Sequence, residues 1–192
     1  MQYLHWLPPL PDESFAAYAG RMSLSVTEKN ATLIGVSFGG MLCIEMAKLI
    51  SVNKIILISS VKTHQELPRW MKTSGKLRLD AILPKKQVQS IRPFKLIEPL
   101  ENYFLGAVTE EEKQLAHQYR MHVDPVYLKW SIHQVLNWKN NWTPENLYHL
   151  HGTNDRIFPY SRVSPTHTIP SAGHFLVYQR APEVSAILSE IL

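Results

Sequence analysis

Two short runs, Ala31–Val36 (ATLIGV) and Lys54–Ser59 (KIILIS), constrain the fold more than anything else in the chain. Both are nearly continuous in apolar, β-favouring residues instead of alternating. A strand of that kind has to be buried on both faces, which is the situation inside a parallel sheet. Leu147–His151 (LYHLH) is a third run, with weaker candidates at Gln2–Leu7 and Thr166–Ile169. Helical patterns separate them. Phe15, Tyr18 and Met22 share one face of a helix opening near Asp12. Met41–Ile50 is apolar nearly all round, as a helix pressed on a sheet should be, and Ala181–Leu192 repeats Val184, Ile187, Leu188 and Ile191 at helical spacing. The alternation predicts an α/β fold, a mostly parallel sheet with helices on both faces.

The stretch 61–146 interrupts that rhythm and carries no convincing strand. Thr109 and Glu112 have capping-box spacing, and Asp124-Pro125 sets an N-cap acceptor before a helix-starting proline. The expected organisation is a core of residues 1–60 and 147–192 with a helical cap or lid inserted at 61–146.

Composition narrows the function classes. With 192 residues and 45% hydrophobic content, a single core domain can form. One cysteine, Cys43, precludes an internal disulfide. No apolar run approaches the roughly 20 residues of a membrane span. The opening MQYLHWLPPLPDES lacks a basic stretch followed by an apolar core, so the expectation is a soluble cytoplasmic chain without a secretory signal. The net charge of +4 is uneven: nine Lys or Arg between Lys62 and Lys95 face only Glu66 and Asp80. Such a surplus is usually a solvated face, but it could draw an anionic substrate. Trp70 and Phe94 are too sparse for a base-stacking platform, so nucleic acid is not an expected partner.

Chemistry concentrates at Gly35-Val-Ser37-Phe-Gly39-Gly40, between the first buried run and the apolar helix. In that context G-x-S-x-G-G puts a serine on a sharp strand-to-helix turn, with glycines where side chains would strike the neighbouring strand and helix. A serine hydroxyl needs a base to become nucleophilic. Asp155 in HGTNDRIFP and His174 in AGHF each follow a candidate strand, in the chain order Ser, Asp, His.

These three motifs together resemble the α/β-hydrolase superfamily over nearly the whole chain. The resemblance implies Ser37 as nucleophile, His174 as general base and then acid, and Asp155 as the carboxylate that orients His174. It also implies the Phe38 backbone N–H as an oxyanion donor and Gly35, Gly39 and Gly40 as the nucleophile elbow. The expected activity is hydrolysis of a small-molecule ester or thioester through an acyl-enzyme, without metal or organic cofactor. Members of the superfamily carry several strands before the elbow, one of them leading into a loop that supplies a second oxyanion donor. Here Gln2–Leu7 is the single candidate, and no second donor is identifiable. A partner chain, the Trp6–Pro9 loop or an upstream segment could supply it. A non-catalytic binding protein on a shortened frame and a carbon–carbon hydrolase or lyase are the alternative readings. The smaller sheet would leave its first strand at an open edge where a second copy could pair as a homodimer.

Other polar and aromatic residues have structural explanations. His149 and His151 would share a strand face, but no third metal ligand is apparent. Asp124 is accounted for by capping and Cys43 by burial in the helix after the elbow. Trp130, Trp138 and Trp142 could line an acyl pocket or simply pack the core.

Overall fold

The apolar runs pair with one another in chain order. The computed structural model describes residues 2–77 and 94–192. Strands β1 (Ala31–Val36), β2 (Val52–Ile58), β3 (Leu147–Gly152) and β4 (His167–Ile169) form one sheet in the order β1-β2-β3-β4, parallel throughout. Helix α1 (Phe15–Ser23) precedes β1, α2 (Phe38–Ala47) joins β1 to β2, and α7 (Leu176–Gln179) and α8 (Ala181–Ile191) close the chain. Between β2 and β3 the described residues form α3 (Arg69–Lys76), α4 (Phe94–Leu105), α5 (Glu110–His122) and α6 (Pro125–Asn137).

The two faces of β2 explain its unbroken apolar run. Ile55 and Leu57 enter one core with Leu33, Tyr18, Met41 and Ile44 beneath α1 and α2. Ile56 and Ile58 enter a second with Leu150, Ile169, Leu176 and Val184 beneath α7 and α8. Every one of these side chains gives up its water, each worth about 1.5–3 kcal/mol for a fully buried aliphatic. Val61, Leu67, Met71 and Trp138 join the first core as well. Helices α3 and α6 are therefore packed into the main body, whereas α5 buries little beyond Glu112 and Ala116.

Several boundaries differ from the sequence expectation. Helix α1 opens at Ser14, whose hydroxyl accepts from the Ala17 N–H, because Asp12 is in a left-handed turn at φ 52°. Helix α2 begins at Phe38, directly after the elbow, and ends at Ala47. The short α7 carried no recognisable signal. Thr109 and Glu112 complete the expected capping box, and Asp124 Oδ1 accepts from the N–H groups of Val126 and Tyr127. Of the basic stretch, Arg78, Lys85, Lys86 and Arg92 lie outside the described residues, as does the side chain of Lys95.

Gln2–Leu7 is not a strand. The Leu7 N–H donates to the Tyr18 hydroxyl at 3.1 Å, and that hydroxyl donates back to the Leu7 carbonyl at 2.9 Å. A buried side chain thus takes the place of a neighbouring strand, and Pro8-Pro9 ends any further pairing. Arg21 fixes the same segment by donating to the Pro8 carbonyl while bridging Glu13. One consequence is that β1 stands at the edge of the sheet, with Ile34 and Val36 exposed.

Replacing Tyr18 by Phe keeps the core volume but leaves both backbone groups of Leu7 unpaired. The expected loss is about 1–3 kcal/mol, read as a lower urea midpoint with an unchanged slope.

Candidate active site

Ser37 occupies the turn between β1 and α2 at φ 53° and ψ −120°, a conformation costly for any residue bearing a Cβ. Three contacts hold it there. Its N–H continues the ladder to the Ile58 carbonyl at 2.9 Å, and its carbonyl accepts from the buried Ser60 hydroxyl at 2.6 Å and the Gly40 N–H at 3.0 Å. A Cβ on Gly35 would lie 2.3 Å from the Gly39 carbonyl oxygen, and one on Gly40 would lie 2.5 Å from Ser60 Oγ. At Gly39 the nearest atom would be a Trp6 ring carbon at an ordinary 3.7 Å. The close approach that makes glycine necessary therefore involves Gly35 and Gly40. Gly39, grouped with them on sequence, is free of it.

Asp155 and His174 arrive from β3 and β4, the strands beyond β2. Asp155 sits in the turn after β3, and His174 in the loop between β4 and α7. Because the strands are parallel, all three loops leave the sheet at the same edge, where α/β folds gather ligand groups. The structure brings them into one line. The His174 Nδ1–H donates to Asp155 Oδ2 at 2.8 Å, and the Ser37 hydroxyl donates to His174 Nε2 at 2.9 Å. A carboxylate only accepts, so its partner Nδ1 carries the proton and Nε2 is left free to receive one.

Asp155 is 4% exposed. Burial alone would raise its pKa, but hydrogen bonding and charge from His174, together with the Phe158 N–H, outweigh burial and hold it below the usual carboxylate range. Its Oδ1 accepts from the N–H groups of Ile157 and Phe158, both at 2.9 Å. The carboxylate is thereby kept charged and fixed in direction.

The loop bearing His174 leans on the helices between β2 and β3. The Phe175 N–H donates to the Leu105 carbonyl, and Gln179 joins the Gly106 carbonyl and Glu112 to the Gly173 N–H. Arg156, next to Asp155, donates to the Tyr103 carbonyl and stacks 4.1 Å over its ring. None of these ties had a sequence signal, since all but the Gly173–Gln179 bond join residues more than fifty apart.

An aromatic group surrounds Phe38, the residue after Ser37. Its ring stacks with Phe15 and Trp6 at 4.9 and 5.9 Å, and Tyr127 and Trp130 meet it edge-on at 6.4 and 5.9 Å. The place of Trp6 and Tyr127 in this aromatic group had no sequence signal, Trp6 having been named only with the Trp6–Pro9 loop. Trp138 donates instead to Glu45, about 10 Å along α2 at 1.5 Å per residue, and Trp142 lines the same hollow. A separate cavity of about 800 Å³ is bordered by Tyr103, Lys113, His117 and Arg156 but not by Ser37 or His174.

Solved structures share this architecture at low identity. A thermophilic esterase from Thermogutta terrifontis is 17% identical over 96% of this chain and 73% of its own, with a TM-score of 0.69. A hydrolase from Pseudomonas aeruginosa is 15% identical over 96% and 74%, also at 0.69. A meta-cleavage product hydrolase from Pseudomonas fluorescens is 17% identical over 94% and 72%, at 0.62. The chain has the α/β-hydrolase fold. No protein-family model and no curated protein sequence matches it.

Within the α/β-hydrolase fold, Phe38 is the first residue of α2, so its N–H has no intrahelical partner and lies at the positive end of the helix, next to Ser37 in the chain. Among the described residues no three His, Cys, Asp or Glu side chains gather to hold a metal, and none of the helices is long and apolar enough to cross a membrane. Cys43 is buried, which pushes its thiol up to about 12.

Two predictions follow from these contacts. Gly35→Ala forces a Cβ into backbone and should cost on the order of 3 kcal/mol, while Gly39→Ala should stay within about 1 kcal/mol of the parent in urea unfolding. The second concerns His149, which is fully buried; desolvation first, then electrostatic opposition from neighbours including Lys62, push its pKa down to about 3. Between the ordinary value near 6.5 and that one, the unfolded chain takes up a proton that the folded chain refuses. Stability should therefore fall as pH drops from 7 to 5, by about 2 kcal/mol from this residue, and His149→Gln should lose that part of the slope.

Proposed function

We propose that the protein is a serine hydrolase of esters or thioesters. The observation that carries this reading is the unbroken line Ser37 Oγ to His174 Nε2 and His174 Nδ1 to Asp155 Oδ2, at 2.9 and 2.8 Å. Ser37 Oγ attacks the acyl carbonyl while its proton passes to His174 Nε2. The imidazolium is stabilised by Asp155, and the oxyanion takes the Phe38 N–H. His174 then protonates the leaving alcohol or thiol. Water, deprotonated by the same imidazole, releases the acid and restores Ser37. The chemistry uses protein groups alone.

The aromatic rings of Trp6, Phe38 and Tyr127 beside the elbow support an apolar acyl group. The basic stretch of 62–95 is the reason to expect a negative charge elsewhere on the substrate. We assign the lid role in residues 61–146 to α4 and α5, which brace the His174 loop while α3 and α6 share the main core.

A fluorophosphonate should form one adduct, on Ser37. Ser37→Ala should reduce p-nitrophenyl ester turnover to the residual level left by binding and oxyanion contacts, and Asp155→Asn should cost on the order of 10⁴-fold. Labelling at another residue, or undiminished turnover in Ser37→Ala, would remove the basis for this function.

A further inference from the structure

Two buried histidines outside the proposed triad form a proton-ordered pair behind it. His149 and His151 on β3 are both fully buried. His149 Nε2 lies 3.1 Å from His151 Nδ1, and His151 Nε2 lies 2.8 Å from the Phe158 carbonyl and 3.5 Å from Asp155 Oδ2. Both groups facing His151 Nε2 are acceptors, so that nitrogen carries the proton. Nδ1 of His151 then has only a lone pair, and the 3.1 Å contact requires His149 Nε2–H to donate to it. His149 is left with a bare Nδ1, a buried atom that makes no hydrogen bond although the Ser60 backbone lies nearby. Burial pushes the pKa of both rings down and keeps them neutral, and with neutral rings these contacts fix both tautomers.

We infer that His151 is a positioning residue for Asp155, with His149 as the group that orders its tautomer. The Phe158 backbone is gripped from both sides, its carbonyl accepting from His151 and its N–H donating to Asp155 Oδ1. The same imidazole N–H faces Asp155 Oδ2, the oxygen that receives the His174 proton donor. His151 therefore fixes the acid loop and draws off part of the carboxylate's charge before His174 feels it. Every titratable group facing the pair enters this balance: Asp155 and His174 around His151, and Lys62 behind His149. The inference rests on the proposed roles of Asp155 and His174, but its first test does not.

Histidine-labelled protein, followed by ¹⁵N imidazole shifts from about pH 5 to 8, should show His149 and His151 neutral throughout, each protonated at Nε2. A proton on His149 Nδ1, directed at the Ser60 backbone, or titration of either ring in that range, would overturn the inference. The second test uses ester turnover. His151→Leu removes the N–H, so Asp155 should hold the His174 imidazolium more strongly and the acid limb of kcat/KM should move up by about half a unit, threefold in the equilibrium. kcat should fall about tenfold, the worth of one such hydrogen bond, with KM within twofold, and His151→Gln should recover most of it through its own amide donor. An unmoved acid limb, or a His151→Gln variant as impaired as His151→Leu, would show a packing role only and sink the inference. The low-field proton of the His174–Asp155 bridge, read in Ser37→Ala, separates the two claims. If that variant keeps its turnover while His151→Leu still shifts the resonance, the hydrolase reading fails and the positioning role stands.

Discussion

A serine held at φ 53° is the constraint on which the rest of the molecule depends. Such a residue reverts to an ordinary conformation unless its surroundings leave no room. Here the ladder bond to Ile58, the Ser60 hydroxyl on the Ser37 carbonyl, and the close packing of Gly35 on the Gly39 backbone and of Gly40 on Ser60 leave none. The cost, of order 1–3 kcal/mol, is carried by a core in which α2 is pressed flat against β1 and β2. That same pressing explains why Met41, Ile44 and Met46 are apolar on every side the helix offers. The strained turn, the apolar helix and the doubly buried strand are three aspects of one packing arrangement.

The sheet's parallel order does the remaining work of assembly. A carboxylate 118 residues and an imidazole 137 residues from the serine meet it because β1, β3 and β4 all run the same way and release their loops at one edge. Loop closure over such distances is inexpensive per added residue, since its entropy grows only logarithmically with length. What is costly is holding the ends, and each loop has its own fastening. The acid loop is tied by its own N–H groups and by His151; the histidine loop is tied by Leu105 and Gln179.

How much of this was legible in the sequence divides along physical lines. Ala31–Val36 and Lys54–Ser59 were readable because burial on two faces leaves an unmistakable apolar run. Ser37, Asp155 and His174 were readable because each sits in a local motif with its own turn chemistry. Gln2–Leu7 misled because its apolar content reflects packing of Leu4 and Leu7 on the first core, while a tyrosine hydroxyl supplies what a strand partner would. The roles of Gln179, Arg156 and the Trp6 ring could not be read, since they lie in contacts across 50 or more residues or in a stack on Phe38, and Trp6 entered only as part of the Trp6–Pro9 loop. Gly39 shows a subtler limit: a motif match does not say which of its glycines the geometry needs.

The polar interior on the far side of β3 has the same logic as the strained turn. Burying two imidazoles and a carboxylate together would be prohibitive if their charges were free to vary, for each unpaired ion costs several kcal/mol. The arrangement removes that freedom. Asp155 keeps its charge because four donors converge on it: two backbone N–H groups on Oδ1, and His174 with the more distant His151 at Oδ2. His151 and His149 stay neutral because burial outweighs the help that Asp155 and the nearby backbone give a second proton. Beside these two imidazoles a single negative charge then remains, and the ring next to it that also reaches the Ser37 hydroxyl is His174. His174 Nε2 is thereby the nitrogen of this group that faces a hydroxyl, while His149 Nδ1 behind it stays bare and buried.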